Sequence, residues 1–187
     1  MKTKLLVAIL AFSLFSCKEK NEEQNNENQQ VVEEVTNPNF YVEINALASQ
    51  KDAFALYFSE DNTVNFNQEN VIWAEINQNE LSNLNFEIKE ERIPTHIRLD
   101  FGLNKEQDSV VINKIKMSYL KNSFEFKGSD FFQYFNQDSI FKTAVNVSKG
   151  TLTIYKEGSE YKTPFFYPNE ILVDKIREIS IPSTVVK

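Results

Sequence analysis

The sequence predicts an all-β protein, an antiparallel β-sandwich with one or two short helices, and three observations carry that prediction. Apolar residues recur at every second position in one short run after another, the period of a strand buried on one face. The runs are separated by short connections rich in Asn, Asp, Ser and Gly, among them Ser59-Glu60-Asp61-Asn62, Asn77-Gln78-Asn79, Asn104-Lys105-Glu106-Gln107-Asp108 and Ser148-Lys149-Gly150. Eight to ten such runs fit within about 150 foldable residues, the size of a single sandwich domain that needs neither metal nor disulfide to be stable.

Residues 1–37 stand apart from this pattern. Lys2 and Lys4 precede an apolar run over residues 5–15, which ends in Leu14-Phe15-Ser16-Cys17. A charged start, a short apolar stretch and a small residue before the cleavage point define a secretory signal over residues 1–16, too short for a stable membrane span. Cys17 is the only cysteine in the chain. Its place directly after Ser16 resembles the bacterial lipobox, which implies cleavage before Cys17 and lipidation of its thiol. With that thiol consumed the mature protein forms no disulfide.

Residues 18–37 are polar and acidic, with neither an aromatic residue nor a glycine. Such a composition buries too little apolar surface to offset the entropy of ordering, so residues 17–37 are expected to form a lipidated, disordered tether. Twenty flexible residues span about 25 Å, enough to hold a domain off a bilayer. The start Cys17-Lys18-Glu19-Lys20, with Glu22-Glu23, resembles in part the tethers of Bacteroidota lipoproteins. That resemblance implies an outer-membrane lipoprotein facing the periplasm or displayed at the cell surface.

The domain is expected over residues 38–187. Its first strands carry Phe40/Val42/Ile44, Phe54/Leu56/Phe58, Ile72/Ala74/Ile76, Leu84/Phe86/Ile88 and Ile97/Leu99/Phe101 on their inner faces. Further alternation follows at Val111/Ile115/Met117/Tyr119 with a break, then Phe124/Phe126, then Ala144 or Val145 to Val147, and Leu152/Ile154. Two segments depart from it. Residues 129–135 suit one helical turn with Ser129 as N-cap, packed over an open end of the sandwich. Residues 169–179 place Leu172, Ile176 and Ile179 on one helical face, while Ile179-Ser180-Ile181 also alternates as a terminal strand would.

The charge pattern narrows the partners. The formal charge is −7, and loss of Lys2 and Lys4 with the signal brings it to about −9. Basic residues are scattered singly among more numerous acids, so nucleic acid is not an expected partner. A basic amphipathic membrane helix is likewise absent from the pattern, leaving the N-terminal lipid as the membrane attachment.

Few residues suit catalysis. The single histidine, His96, lies on a strand face with Arg98 and Asp100, opposite Ile97/Leu99/Phe101. It reads most simply as a rim histidine, because it lacks the second His or Cys of a zinc site and no Gly-x-Ser-x-Gly elbow supplies a nucleophile. The four glycines, at 102, 128, 150 and 158, are too far apart for a phosphate loop. Glu75, Glu87, Asp100 and Glu125 are the carboxylates from which a glycosidase pair would have to come. The acidic turn Glu60-Asp61-Asn62, with Asn65 and Asn67, offers oxygen ligands to calcium but matches no loop template. No other cofactor is expected.

Binding is better served than catalysis. Trp73 lies on the opposite strand face from Ile72 and Ala74, and Tyr57 opposite Phe58. A partly exposed Trp or Tyr beside Asn, Asp and Arg makes a sugar platform, although both rings could equally face a second sheet. The candidate ligand residues are therefore Trp73, Tyr57, His96, Arg98 and Asp100.

Three stretches add a resemblance: residues 55–62 leading to Gln68-Glu69-Asn70, then Pro94-Thr95-His96-Ile97-Arg98-Leu99-Asp100-Phe101-Gly102, then Val111-Ile112-Asn113-Lys114-Ile115. Together they resemble the non-catalytic jelly-roll modules of bacterial cell-surface polysaccharide proteins. Asp130-Phe131-Phe132-Gln133-Tyr134-Phe135-Asn136 and Pro164-Phe165-Phe166 resemble the aromatic turn and the Pro-aromatic ending of those modules. The resemblance covers residues 40–170 and implies a jelly-roll, galactose-binding-like sandwich in the cell envelope, with no catalytic residue. The expected role is glycan or surface-ligand binding. Docking on an envelope protein is the alternative, and a two-carboxylate glycoside hydrolase ranks last.

Overall fold

The computed structural model describes residues 38–136, 144–155 and 163–182, all within one compact unit spanning Val35–Lys187. The signal sequence, Cys17 and the tether lie outside the described residues. Within them the expected class is found, an all-β antiparallel sandwich with two short helical segments. The strands are β1 (Phe40–Ala48), β2 (Asp52–Ser59), β3 (Val71–Ile76), β4 (Leu81–Ile88), β5 (His96–Asp100), β6 (Ser109–Tyr119), β7 (Asn122–Lys127), β8 (Phe135–Asn136), β9 (Ala144–Ser148), β10 (Thr151–Tyr155) and β11 (Phe165–Pro168). The first sheet runs β4-β1-β6-β10-β9, with β7 also paired to β6, and the second runs β3-β2-β5-β11-β8. The pairs β4/β3, β1/β2, β6/β5 and β10/β11 thus occupy the same place in the order of the two sheets, one member in each.

The period-two residues form the core. Phe40, Val42, Ile44, Phe54, Leu56, Phe58, Leu84, Phe86, Ile88, Ile97 and Leu99 are all buried. One expectation is corrected on β6. Val111 points outward and is half-buried, whereas Val110 and Ile112 are buried. The register against β1 shifts between Asn45 and Ala46, which leaves Asn113 as an extra residue of a β-bulge. A bulge reverses which residues of a strand face inward. Hence Val110 and Ile112 precede it on the inner face and Ile115, Met117 and Tyr119 follow it there.

The outer edge of β6 is divided. Residues 114–119 pair with β7 and residues 109–112 pair with β10. At the changeover β7 turns out of the sheet at Gly128, where a Cβ would lie 1.9 Å from the Ile112 carbonyl oxygen and 2.7 Å from the Leu152 nitrogen. The expected helical turn follows as a 3₁₀ segment, Gly128–Gln133, but Ser129 is not its cap. The cap position is Lys127, with no side-chain hydrogen bond, and the Ser129 hydroxyl is directed to Asp130. This segment drives Phe131 into the core, stacked 4.6 Å from Phe135 and edge-on at 4.9 Å to Phe166. Phe101 joins the cluster, 5.3 Å from Phe54 and 5.8 Å from Phe166. Each such ring contributes about 1.5–3 kcal/mol by burial.

The last element is α1 (Glu170–Ser180), and the terminal-strand alternative for residues 179–181 does not occur. The Asn169 side chain accepts from the Leu172 N–H at 3.1 Å, the arrangement of an N-cap. Its amide group also donates to the Gln133 carbonyl at 2.9 Å, tying the helix start to the 3₁₀ segment. Leu172, Ile176 and Ile179 are buried, as the helical spacing predicts. At the far end the Asn122 amide donates to the carbonyls of Ile179 and Ile181. Among the described residues no helix is long and apolar enough to cross a membrane.

The outer face of the first sheet is covered by polar residues that bond to one another. Asn113 donates to Asn45 at 2.9 Å and Asn45 to Asn83 at 2.7 Å, a ladder across three strands. Lys116 pairs with Glu43, and Lys114 with Glu125.

Gly128→Ala is expected to lower stability by at least about 1–3 kcal/mol, because backbone rather than a mobile side chain occupies the space. Urea unfolding of the two proteins measures this, and an unchanged midpoint would mean that the close approach of β7 to β6 and β10 is not maintained in solution.

Candidate functional site

The residues singled out in the sequence lie on the outer face of the second sheet. Alternation along β5 sends His96, Arg98 and Asp100 outward together. The register then places Trp73, Ala55, Asp100 and Phe165 in one row across β3, β2, β5 and β11. The next row holds Val71, Tyr57 and Arg98, and beyond it Ser59 is opposite His96. With strands about 4.8 Å apart, the first row spans about 14 Å. Trp73 is 48% exposed at one end of it. Ala55, although it faces outward, is covered by its larger neighbours and is only 1% exposed.

Arg98 is the centre of this face. Its Nε and Nη2 donate to the two carboxylate oxygens of Asp100 at 2.7 and 2.6 Å, a bidentate pair that the i, i+2 spacing on a strand brings together. Four rings surround the guanidinium: Tyr57 at 4.4 Å, Phe165 at 5.1 Å, Tyr167 at 5.8 Å and Phe66 at 6.0 Å. Each contact of this kind is worth about 0.5–2 kcal/mol, so together with Asp100 they fix the side chain in one position. The hydrogen bonds it donates to Asp100 raise the pKa of Arg98 above its ordinary value, against the opposing effect of burial. The pair is set into the surface, with side-chain exposures of 21% and 13%.

Phe66 reaches the cage from the connection between β2 and β3, residues 60–70, whose position several polar contacts fix. Arg92 donates to Glu60 at 2.9 Å and to Asn70 at 2.8 Å, and its guanidinium lies 4.6 Å from the Phe58 ring. Asn62 sits at φ 62° and donates its N–H to the Thr95 hydroxyl. Asp61 accepts from both the N–H and the hydroxyl of Thr63, which hold its pKa below the ordinary value. Glu60 and Asp61, the acids of the calcium-candidate turn, are thus directed to Arg92 and Thr63. Among the described residues no three or more His, Cys, Asp or Glu side chains are grouped to hold a metal ion.

The Thr95 hydroxyl oxygen accepts from the Asn62 N–H and lies 3.1 Å from both the Ser59 carbonyl and His96 Nδ1. With the hydroxyl hydrogen directed to Ser59, Nδ1 carries the ring hydrogen and Nε2 is the acceptor. The ring borders a groove of about 740 Å³ between Val64 on the long connection and Ile171, Asp174 and Arg177 on α1.

The four carboxylates weighed for a glycosidase are separated. Glu75 and Asp100 face outward on the second sheet, where Glu75 pairs with Lys51 and Asp100 with Arg98. Glu87 and Glu125 are on the first sheet, where Glu87 accepts from Tyr41 and Asn39 and Glu125 pairs with Lys114. Sequence reasoning singled out Trp73, Tyr57, His96, Arg98 and Asp100, which share this face, but did not note Phe66 and Tyr167, which stand around Arg98 with Tyr57. It noted Phe165 only as part of a chain ending. The outward alternation of Phe165 and Tyr167 around buried Phe166 was a usable signal, whereas Phe66, in an irregular segment, gave none. No protein-family model, curated protein or solved structure matches this chain.

Burial lowers the pKa of His96 below 6.5, with Arg177 acting in the same sense and Asp61 opposing it. The unfolded chain therefore binds this proton more readily than the folded one. The stability that His96 contributes is complete above about pH 6.5 and is lost as pH falls through the lowered folded value. Urea midpoints measured from about pH 7 to about pH 5 are expected to fall less steeply in His96→Gln than in the parent protein. Equal slopes would mean that His96 is as readily protonated folded as unfolded.

Proposed function

We propose that this protein is a lipid-anchored β-sandwich of the cell envelope that binds a glycan without catalysing a reaction on it. The observation that carries the proposal is the outer face of the second sheet: an exposed Trp73 on β3 and, two strands away on β5, a bidentate Arg98–Asp100 pair held among Tyr57, Phe66, Phe165 and Tyr167. An aromatic face next to fixed hydrogen-bonding groups suits a pyranose ring, whose carbon–hydrogen faces are apolar and whose edges carry hydroxyls. Fixed side chains also limit the entropy lost on binding. The polar groups here suit binding better than turnover, since Asp100 is committed to Arg98 and the hydroxyl nearest His96 is committed to a backbone carbonyl. The succession of cross-sheet strand pairs supports a jelly-roll reading of the sandwich.

The anchor rests on Lys2, Lys4, the apolar run and Cys17. It implies an outer-membrane lipoprotein that faces the periplasm or the cell surface.

A glycan array probed with residues 38–187, with calcium and then with chelator, tests the binding role. Saturable binding lost in Trp73→Ala, with folding intact, is the expected result, and loss with chelator would add a cation. No binding by the folded domain, together with crosslinking to one envelope protein, would assign the face to protein docking instead. For the anchor, Cys17→Ala is expected to abolish incorporation of a labelled fatty acid and to move the protein from the membrane to the soluble fraction. Retained labelling would overturn the lipidation assignment.

A further inference from the structure

The outer face of the second sheet holds two polar groups of opposite kind that the protein does not satisfy. Arg98 uses Nε and Nη2 on Asp100, while Nη1 has no hydrogen-bond partner among the described residues. His96 uses Nδ1 on Thr95, and with the Thr95 hydrogen on the Ser59 carbonyl its Nε2 is an acceptor. Among the described residues no buried side-chain nitrogen or oxygen lacks a partner, so both atoms are open to solvent. They project from positions two apart on β5, about 6.7 Å along the strand. A donor and an acceptor on one strand face match hydroxyl groups, which serve in either role.

Charge selects further. The positive charge of Arg98 is already matched by Asp100, so a ligand carboxylate would meet a neutral pair. The other charges of this face are matched in the same way, Glu60 by Arg92, Glu75 by Lys51 and, beside the groove, Asp174 by Arg177. In a chain of net charge −7, an anionic ligand would meet no unmatched cation among these groups. Tyr57 and Phe165 are occupied by the guanidinium, which leaves the exposed ring of Trp73 to stack on a sugar face. Past His96 the groove beside Val64 and Ile171 has room for the chain to continue.

We infer that the ligand of this face is an uncharged oligosaccharide, stacked on Trp73, with one oxygen accepting from Arg98 Nη1 and a hydroxyl donating to His96 Nε2. The inference rests on the glycan reading above and specifies its ligand class and polarity. Calorimetric titration of the mature chain tests it, with hexasaccharides of β-1,4-glucan, β-1,3-glucan, mannan and xylan set against those of polygalacturonate and alginate. The expected result is that a neutral series binds and both acidic series bind at least tenfold more weakly. His96→Phe is expected to lose roughly 3- to 10-fold in affinity for the neutral ligand, the weight of one hydrogen bond. His96→Gln, which keeps an acceptor, is expected to retain most of it. An acidic series that binds as well as the neutral ones, or unchanged affinity in a folded His96→Phe protein, overturns this inference and leaves glycan binding standing. If no saccharide of either kind binds, the glycan reading itself falls, and this inference with it.

Discussion

The fold depends on how the outer edge of β6 is shared. A strand edge offers one row of backbone donors and acceptors, and here two strands use it in succession, β7 beside residues 114–119 and β10 beside residues 109–112. One of them must leave before the other begins. Gly128 makes that exit by bringing its backbone where no side chain would fit. The chain that leaves there forms the 3₁₀ segment, buries Phe131 against Phe166, and pairs through β8 with β11. Since β11 carries Phe165 and Tyr167, the chain that leaves the first sheet at Gly128 goes on to pair with the strand that supplies two of the rings around Arg98.

The site combines strong local order with little net charge. Arg98 is held by two hydrogen bonds to Asp100 and by neighbouring rings, so its open nitrogen is presented at a fixed angle. Without Asp100 the same guanidinium would be a cation in an aromatic nest and would favour an anionic partner. With it, what remains is directional hydrogen bonding. His96 complements this, with Nδ1 held against Thr95 and the ring bordering the groove.

Much of this architecture was legible in the sequence wherever the physics is local. Strand alternation is a property of neighbouring residues, so it identified the inner faces of β1, β2, β4 and β5 and the common outward face of His96, Arg98 and Asp100. The helix over residues 170–180 was legible because Leu172, Ile176 and Ile179 keep helical spacing and Asn169 precedes them. The inward set at the start of β6 was misread at Val111, since the break in the alternation did not show which residues before it face inward, and that is set by pairing with β1. The aromatic cage was legible only in part. Tyr57 and Arg98 are register neighbours, but Phe66 reaches them through a long connection fixed by Arg92, Thr95 and Asn70, contacts distant in sequence.

The two outer faces differ in how far their polar groups have already spent their bonding capacity. On the first sheet, the Asn113–Asn45–Asn83 ladder and the Lys–Glu pairs bond to one another. A partner approaching there would have to break these contacts to make its own, an exchange with little net gain. The molecule consequently has a front and a back. On the proposed glycan reading, recognition falls to one side, and the other can lie against a crowded neighbour without adhering to it.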